Sequence, residues 1–106
     1  MRNQARPARI LLVDDNATDV ELTLEAFSEA CLANQITVAR SGGEALDLLL
    51  GRSSRPGRPR ALLPDLILLD LKMPGIDGFE VLRRVKTAPV LRRIPVIILT
   101  SSREEG

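Results

Sequence analysis

Residues 65–80 read DLILLDLKMPGIDGFE, and this stretch decides the predicted fold. An apolar run, residues 65–70, ends on Asp70 and gives way to the turn-forming sequence MPG. Continuous apolar residues are typical of a strand that helices cover on both faces, so this run is predicted as the central strand of a sheet. Asp77 followed by Glu80 is a capping-box pattern, which predicts that a helix begins there.

The rest of the chain alternates between strand and helix patterns in the same way. Three further strands are predicted at residues 9–13 (RILLV), 35–39 (QITVA) and 94–102 (IPVIILTSS). Each of the first three strands is followed by a segment of helical periodicity. The resulting order β, α, β, α, β, α, β predicts an α/β fold, a doubly wound parallel sheet with right-handed crossovers and helices on both faces.

Start signals and apolar spacing define the predicted helices. Asn16 or Thr18 could cap the first helix, and Ser41 with Glu44 three residues later caps the second. Helical spacing then predicts which side chains face the core. They are Val20, Leu24, Phe27 and Cys31 in the first helix, Ala45, Leu46 and Leu49 in the second, and Phe79, Leu82 and Val85 in the third.

Composition limits the classes of protein that this chain can represent. The chain has 106 residues, of which 44% are hydrophobic and 27% charged, so we expect a single domain over residues 1–106. A net charge of +1 and 2% aromatic residues leave little for binding nucleic acid, which is not expected as a partner. No apolar run is long enough to cross a bilayer, so we expect no membrane segment and a cytoplasmic location.

The scarcity of certain side chains limits the chemistry further. The chain has no histidine, and Cys31 is its only cysteine, which excludes an internal disulfide, a Cys/His zinc site and a histidine-based triad. Cys31 is predicted to be a small buried apolar residue. Residues 51–64, which contain four arginines among Gly, Pro and Ser, are predicted to form an exposed basic loop.

Polar residues follow the predicted strands at the points where they end. Asp14 and Asp15 follow the first strand, Asp70 ends the third, and Thr100 lies near the end of the fourth. The carboxyl ends of parallel strands share one edge of the sheet, where open α/β sheets bind ligands. Each aspartate alone could simply end a strand or form a turn, but three that converge at this edge indicate a functional site.

Three neighbouring carboxylates repel one another, and a divalent cation with oxygen ligands relieves the repulsion. Mg²⁺ suits such a site because it accepts one or two carboxylates and leaves room for phosphate oxygens. A carboxylate can also accept a phosphoryl group as a nucleophile, and Asp70 is placed for that role. Thr100 could donate a hydrogen bond to a phosphate oxygen or could simply be a hydroxyl at a strand end.

Three segments together resemble the receiver domain of bacterial response regulators, the phosphoacceptor half of two-component signalling. They are ILLVDDN, DLILLDLKMPGIDGFEVL and IPVIILTSS, and they occur in the family's order between residues 9 and 102. The resemblance implies the flavodoxin-like receiver fold. It also implies a phosphorylation switch, which is not an enzyme beyond assisting its own phosphorylation and dephosphorylation.

The resemblance implies a role for each site residue. Asp70 matches the phosphorylated aspartate, Asp15 the direct Mg²⁺ ligand and Asp14 the acid that helps to hold the metal. The backbone carbonyl of Lys72 matches the remaining protein ligand of the metal, and Thr100 matches the switch hydroxyl. The implied partner is a sensor histidine kinase. The sequence DVELTLEAF and the long basic loop resemble the small receivers that partner phytochrome-type kinases, and a homodimer is a further expectation.

The resemblance covers fewer elements than a complete receiver has. Receivers carry a fifth strand with a phosphate-pairing lysine at its end, and further helices, whereas this sequence stops at SSREEG. We therefore expect a receiver that is incomplete at its C-terminus, with an exposed apolar edge at residues 96–99.

Three rival functions remain at this stage. The chain could be a receiver-like scaffold that binds partners without phosphorylation. It could also be a phosphatase of the dehalogenase-like class, although Lys72 stands where those enzymes carry a second acid. Flavin binding is disfavoured because Asp14 and Asp15 would repel the phosphate of the cofactor.

Overall fold

The computed structural model describes residues 8–30, 34–51, 63–73 and 78–99. Within these ranges it confirms the predicted alternation of strands and helices. The elements are β1 (Ala8–Val13), α1 (Ala17–Glu29), β2 (Asn34–Ala39), α2 (Gly42–Leu50), β3 (Leu66–Asp70), α3 (Gly78–Thr87) and β4 (Val96–Leu99).

The four described strands form one parallel sheet in the order β2-β1-β3-β4. The chain first winds outward from β1 to β2 and then returns to place β3 on the other side of β1. Winding therefore changes direction between β1 and β3, and open α/β sheets bind ligands at the carboxyl ends of such strands. The doubly wound parallel sheet predicted from the sequence is confirmed.

Helices pack on both faces of this sheet because side chains of successive strand residues point to opposite faces. On one face, Ile10, Leu12 and Leu68 pack with Val20 of α1. On the other face, α2 and α3 cover the alternate strand residues. This larger cluster includes Leu11, Val13, Ile67 and Leu69 of the sheet, Ala45, Leu46, Leu48 and Leu49 of α2, and Val81 and Val85 of α3. Each fully buried Leu, Ile or Val side chain contributes about 1.5–3 kcal/mol to folding.

The helix caps largely follow the sequence signals. The side chain of Asn16, not that of Thr18, caps α1 and accepts a hydrogen bond from the N–H of Asp19 at 2.9 Å. Ser41 caps α2 as predicted, with its hydroxyl accepting from the N–H of Glu44 at 3.0 Å. The open choice for α1 therefore resolves to Asn16, which places the start of α1 directly after the acid pair.

The inward face of α3 differs from the prediction. Phe79 was predicted to face the core, which is wrong, because its side chain is 63% exposed. The inward row is instead Gly78, Val81 and Val85, all of which are buried, while Leu82 is half-buried against the same cluster. Since successive helix residues are rotated by about 100°, a helix that places Gly78 against the sheet turns Phe79 away from it.

The inward face of α1 is narrower than predicted. Val20 is buried and Phe27 packs against the same cluster, but Leu24 remains 36% exposed and lies at the edge of the face. Cys31, which was also assigned to this face, lies outside the described residues.

The basic loop predicted at residues 51–64 is described only at its ends. At the first end, α2 stops at Gly51, which has a φ of 72° and whose N–H donates to the carbonyl of Asp47. This left-handed conformation is the reason for glycine at that position. At the other end Leu63 is exposed and Pro64 is buried.

The fourth strand begins later than the predicted segment 94–102, of which residues 100–102 lie outside the described residues. Ile94 belongs to a turn, since its N–H donates to the carbonyl of Leu91 at 2.9 Å, and β4 begins only at Val96. Within the described part of the chain β4 pairs with β3 alone, and Ile97 is 49% exposed. The described part therefore has the apolar edge that was expected at residues 96–99.

Candidate functional site

Three aspartates meet where β1 and β3 end. Val13 pairs with Leu69 in the parallel register, so the residue after Val13 on β1, Asp14, lies beside the residue after Leu69 on β3, Asp70. Asp15 follows directly. One carboxylate oxygen from each of the three lies within 4.8 Å of the others. Asp14 and Asp70 are buried, each 3% exposed, and Asp15 is half-buried. The structure thus brings together the three acids that the sequence placed at this edge.

Backbone amides hold two of these carboxylates in place. The N–H of Asn16 donates to Oδ1 of Asp14 at 3.0 Å, and the N–H of Lys72 donates to Oδ1 of Asp70, also at 3.0 Å. Oδ2 of Asp70 is buried and has no hydrogen-bond partner among the described residues. Leaving a buried polar atom unpaired costs about 1–3 kcal/mol, so this oxygen is a strong sign of a ligand site.

Burial raises the pKa of the Asp14 carboxyl above its ordinary value of 3.8. The hydrogen bond from the N–H of Asn16 opposes this shift, while the nearby charges of Asp70 and Asp19 add to it. The carboxylate form of Asp14 is therefore less favourable in the folded protein than in the unfolded chain. The site carries electrostatic strain that an added positive charge would relieve.

This raised pKa predicts how Asp14 affects stability as the pH changes. Because the folded pKa lies above the unfolded one, ionisation of Asp14 lowers the free energy of unfolding as pH rises from 3.8 through the folded pKa. We expect Asp14→Asn to be more stable than the wild type at pH 7, with the difference shrinking as the pH falls through this window. Urea denaturation at several pH values in the presence of a chelator measures it. An Asp14→Asn variant that is less stable at pH 7 would contradict the assignment.

The same arrangement fits a divalent cation. Two unit charges about 5 Å apart repel by on the order of 3 kcal/mol at an effective dielectric constant of about 20. Carboxylate oxygens are the ligands that hard cations such as Mg²⁺, Mn²⁺ and Ca²⁺ bind. A cation among Asp14, Asp15 and Asp70 would offset the mutual repulsion of the three carboxylates.

Of the other two predicted site residues, the structure describes Lys72 but not Thr100. Lys72 lies two residues after Asp70, and its N–H bonds to that carboxylate; its side chain is exposed. Thr100 lies outside the described residues. The sequence reasoning assigned no role to Arg40, whose guanidinium donates to the backbone carbonyl of Asp15 at 3.4 Å. Arg40 directly follows β2, so its position in the sequence could have placed it at the same edge of the sheet as the three acids.

The family comparison agrees with this geometry. The family model of the response regulator receiver domain, which describes the sequences of that family, matches residues 10–106. The chain belongs to the response regulator receiver family. The resemblance noted in the sequence is therefore confirmed, and so is the flavodoxin-like receiver fold over the described elements. Receivers of this family act in two-component signalling.

Similar receivers include Rcp1 and two phytochrome response regulators with solved structures. Rcp1 of Synechocystis sp. is 38% identical over 106 residues, which cover 99% of this receiver and 70% of Rcp1. The solved structure of the bacteriophytochrome response regulator AtBRR is 52% identical, with a TM-score of 0.83, and the match covers 93% of this chain and 70% of AtBRR. The phosphorylated cyanobacterial phytochrome response regulator RcpA is 39% identical with a TM-score of 0.78, over 92% and 68% of the two chains.

A metal-bound relative bears directly on the acidic site. The Mn²⁺-bound form of Rcp1 matches this receiver with a TM-score of 0.79 and 39% identity, over 93% of this chain and 69% of that one. Other relatives are longer than this receiver, which spans 59% of the length of one of them and 18% of the length of another. Among the described residues no helix is both long and apolar enough to span a membrane.

Proposed function

We propose that this receiver accepts a phosphoryl group on Asp70, with Mg²⁺ bound beside it, and that the phosphorylated form binds its partner differently. The observation that carries the proposal is the buried oxygen Oδ2 of Asp70, which has no hydrogen-bond partner among the described residues and belongs to a group of three carboxylates. A carboxylate oxygen that keeps its lone pairs free is the requirement for a nucleophile.

The proposal gives the two oxygens of Asp70 separate tasks. The N–H of Lys72 donates to Oδ1 and fixes the orientation of the carboxylate, which leaves Oδ2 to attack phosphorus. A bond forms between Oδ2 and phosphorus while the bond from phosphorus to the donor atom breaks, and the electron pair of that bond stays with the donor. Holding the nucleophile in one orientation before the donor arrives reduces the entropic cost of this step.

Asp14, Asp15 and Asp70 are the side chains that would hold Mg²⁺, and the backbone carbonyl of Lys72 is proposed as the remaining protein ligand. When bound, the cation neutralises charge on the phosphoryl oxygens and on the carboxylates. Within this proposal Asp14 and Asp15 take no phosphoryl group themselves. Thr100 is proposed as the hydroxyl that donates to a phosphoryl oxygen, which follows from its place in the receiver pattern.

The proposed donor is a phosphohistidine on a sensor histidine kinase. The similarities to AtBRR and RcpA support a kinase of the phytochrome type as that partner. Mg²⁺ as the natural cation is supported by the oxygen ligands of the site and by the Mn²⁺-bound relative. A homodimer and the cytoplasmic location both stay predictions.

Phosphoryl uptake from a small donor tests the proposal without the kinase. The intact mass of the protein is measured after incubation with acetyl phosphate, with Mg²⁺ in one sample and a chelator in another. We expect one added phosphoryl group with Mg²⁺ and a rate lower by about two or more orders of magnitude with the chelator, since the cation supplies much of the charge stabilisation.

A urea-unfolded sample with Mg²⁺ is the control, because unfolding separates the three acids, and it should gain nothing. Absence of phosphoryl uptake by the folded protein with Mg²⁺ would contradict the proposal and favour a receiver-like scaffold that binds partners without phosphorylation. Equal uptake with the chelator would contradict the role given to the cation.

A further inference from the structure

Gly78 packs directly on the backbone of Asp70. This glycine is buried at the start of α3, and its N–H donates to the carbonyl of Leu71 at 3.3 Å. A Cβ added to Gly78 would overlap the carbonyl oxygen of Asp70 and Cα of Leu71, and would lie 3.0 Å from the carbonyl carbon of Asp70. The obstructing atoms are all backbone, so they cannot turn aside as a flexible side chain could.

The close approach has consequences for the acidic site. The segment that begins at Asp70 also supplies the N–H of Lys72, which holds Oδ1 of the Asp70 carboxylate. Gly78 therefore packs on the peptide unit between Asp70 and Leu71 and bonds to the carbonyl of Leu71, so it contacts the segment that connects the carboxylate to its own hydrogen-bond donor. A displacement of this segment would move the carboxylate of Asp70 relative to Asp14 and Asp15.

We propose that Gly78 is a positioning residue, which sets the place of the Asp70 carboxylate by letting α3 lie against the backbone of Asp70 and Leu71. Its effect on metal binding and phosphoryl transfer rests on the function proposed for Asp70. Its effect on the position of the carboxylate does not. Functional groups must be held to within about 0.5 Å of their productive positions. A Cβ at position 78 would overlap the backbone of Asp70 and Leu71 by more than these atoms can absorb without moving.

Gly78→Ala is the variant that tests this role. We expect it to remain folded with a lower stability and to bind Mn²⁺ about 10- to 100-fold more weakly than the wild type, the range found when groups that orient metal ligands are lost. Electron paramagnetic resonance of free Mn²⁺ gives the affinity. In the metal-free protein, we expect the amide resonances of Leu71 and Lys72 to shift in NMR spectra, because their peptide units move.

Val85→Ala is the matched control. Val85 is buried on the same helix about two turns further along, and it packs in the core and not on Asp70. Its truncation also lowers stability but leaves the backbone at Asp70 in place. We expect Mn²⁺ affinity per folded molecule and the Leu71 and Lys72 amide resonances to stay at their wild-type values in this variant.

The outcomes separate this inference from the proposed function. If Gly78→Ala matches Val85→Ala in Mn²⁺ affinity and leaves the Leu71 and Lys72 amides unshifted, the inference is wrong whatever the wild type does. If the wild type takes up no phosphoryl group but the metal-free amides shift in Gly78→Ala alone, the proposed function fails while the positioning role holds.

A second measurement covers the case in which Gly78→Ala does not fold. Coupling between two sites is reciprocal, so a cation bound at the acidic cluster should in turn stabilise the Gly78 contact. In the wild type, we expect Mg²⁺ to slow hydrogen exchange of the Gly78 amide, which bonds to Leu71, more than that of the Val85 amide. The comparison is made in protein that titration shows to be saturated with Mg²⁺, and an equal change at both amides would then overturn the inference.

Discussion

Asp70→Asn is expected to take up no measurable phosphoryl group from acetyl phosphate under conditions that fully modify the wild type. A neutral carboxamide oxygen is a far weaker nucleophile than a carboxylate, so we expect the rate to fall by at least about three orders of magnitude, as for removal of other covalent nucleophiles. The variant should fold, because the change removes one charge from a group of three acids, two of which are buried. Intact mass measures the uptake, and urea denaturation checks the fold.

Asp65→Asn is the matched control for this variant. Asp65 precedes β3, at the end opposite Asp70, and its Oδ2 accepts from the N–H of Arg9 at 2.8 Å, a bond that a carboxamide oxygen can keep. The same chemical change at that end of the strand should leave phosphoryl uptake at the wild-type rate. Undiminished uptake by Asp70→Asn would mean that another group accepts the phosphoryl.

Asp15→Asn is expected to weaken Mn²⁺ or Mg²⁺ binding by about 10- to 100-fold or more, since loss of a ligand costs at least as much as loss of a group that orients one. Asp15 is half-buried and contributes one of the three clustered oxygens. Its replacement removes a full negative charge within a few ångströms of the cation. Isothermal titration calorimetry with each cation measures the affinity.

Asp47→Asn makes the same charge change on an exposed side chain of α2, outside the group of three acids. Its cation affinity should match that of the wild type within about twofold, because exposed charges far from the site are screened by solvent and salt. If Asp15→Asn binds the cation as tightly as Asp47→Asn, the cation is held by other groups.

Much of this fold follows from short-range patterns in the sequence. The β1 and β3 strands are continuous apolar runs, and the alternation with helices fixes a parallel sheet. Because a parallel sheet places all strand carboxyl ends at one edge, the meeting of Asp14, Asp15 and Asp70 could be predicted without coordinates. The family was indicated by the resemblance of three sequence segments that contain these acids, and the family match confirms it.

Other features depend on backbone contacts that the spacing of apolar residues does not report. The rotation of α3, which leaves Phe79 exposed, is set by the contact of Gly78 with the backbone of Asp70. Nothing in the local spacing of apolar residues reports that contact; the spacing placed Val85 and Leu82 correctly but Phe79 wrongly. The later start of β4 likewise depends on a turn in which the N–H of Ile94 bonds to Leu91.

The orphaned oxygen of Asp70 also could not be read from the sequence. Residue types alone do not say which of two carboxylate oxygens a backbone amide will hold, and here the N–H of Lys72 holds only Oδ1. This detail supports the proposal that Asp70, among the three clustered acids, is the nucleophile.

The most direct test of the account is to locate the phosphoryl group on the chain. Borohydride reduces an acyl phosphate to an alcohol, so treating the phosphorylated protein, digesting it and fragmenting the peptides identifies the modified side chain by its mass. We predict reduction at Asp70 alone, and only in protein that was phosphorylated in the presence of a divalent cation. Reduction at Asp14, at Asp15 or at any other carboxylate would contradict it.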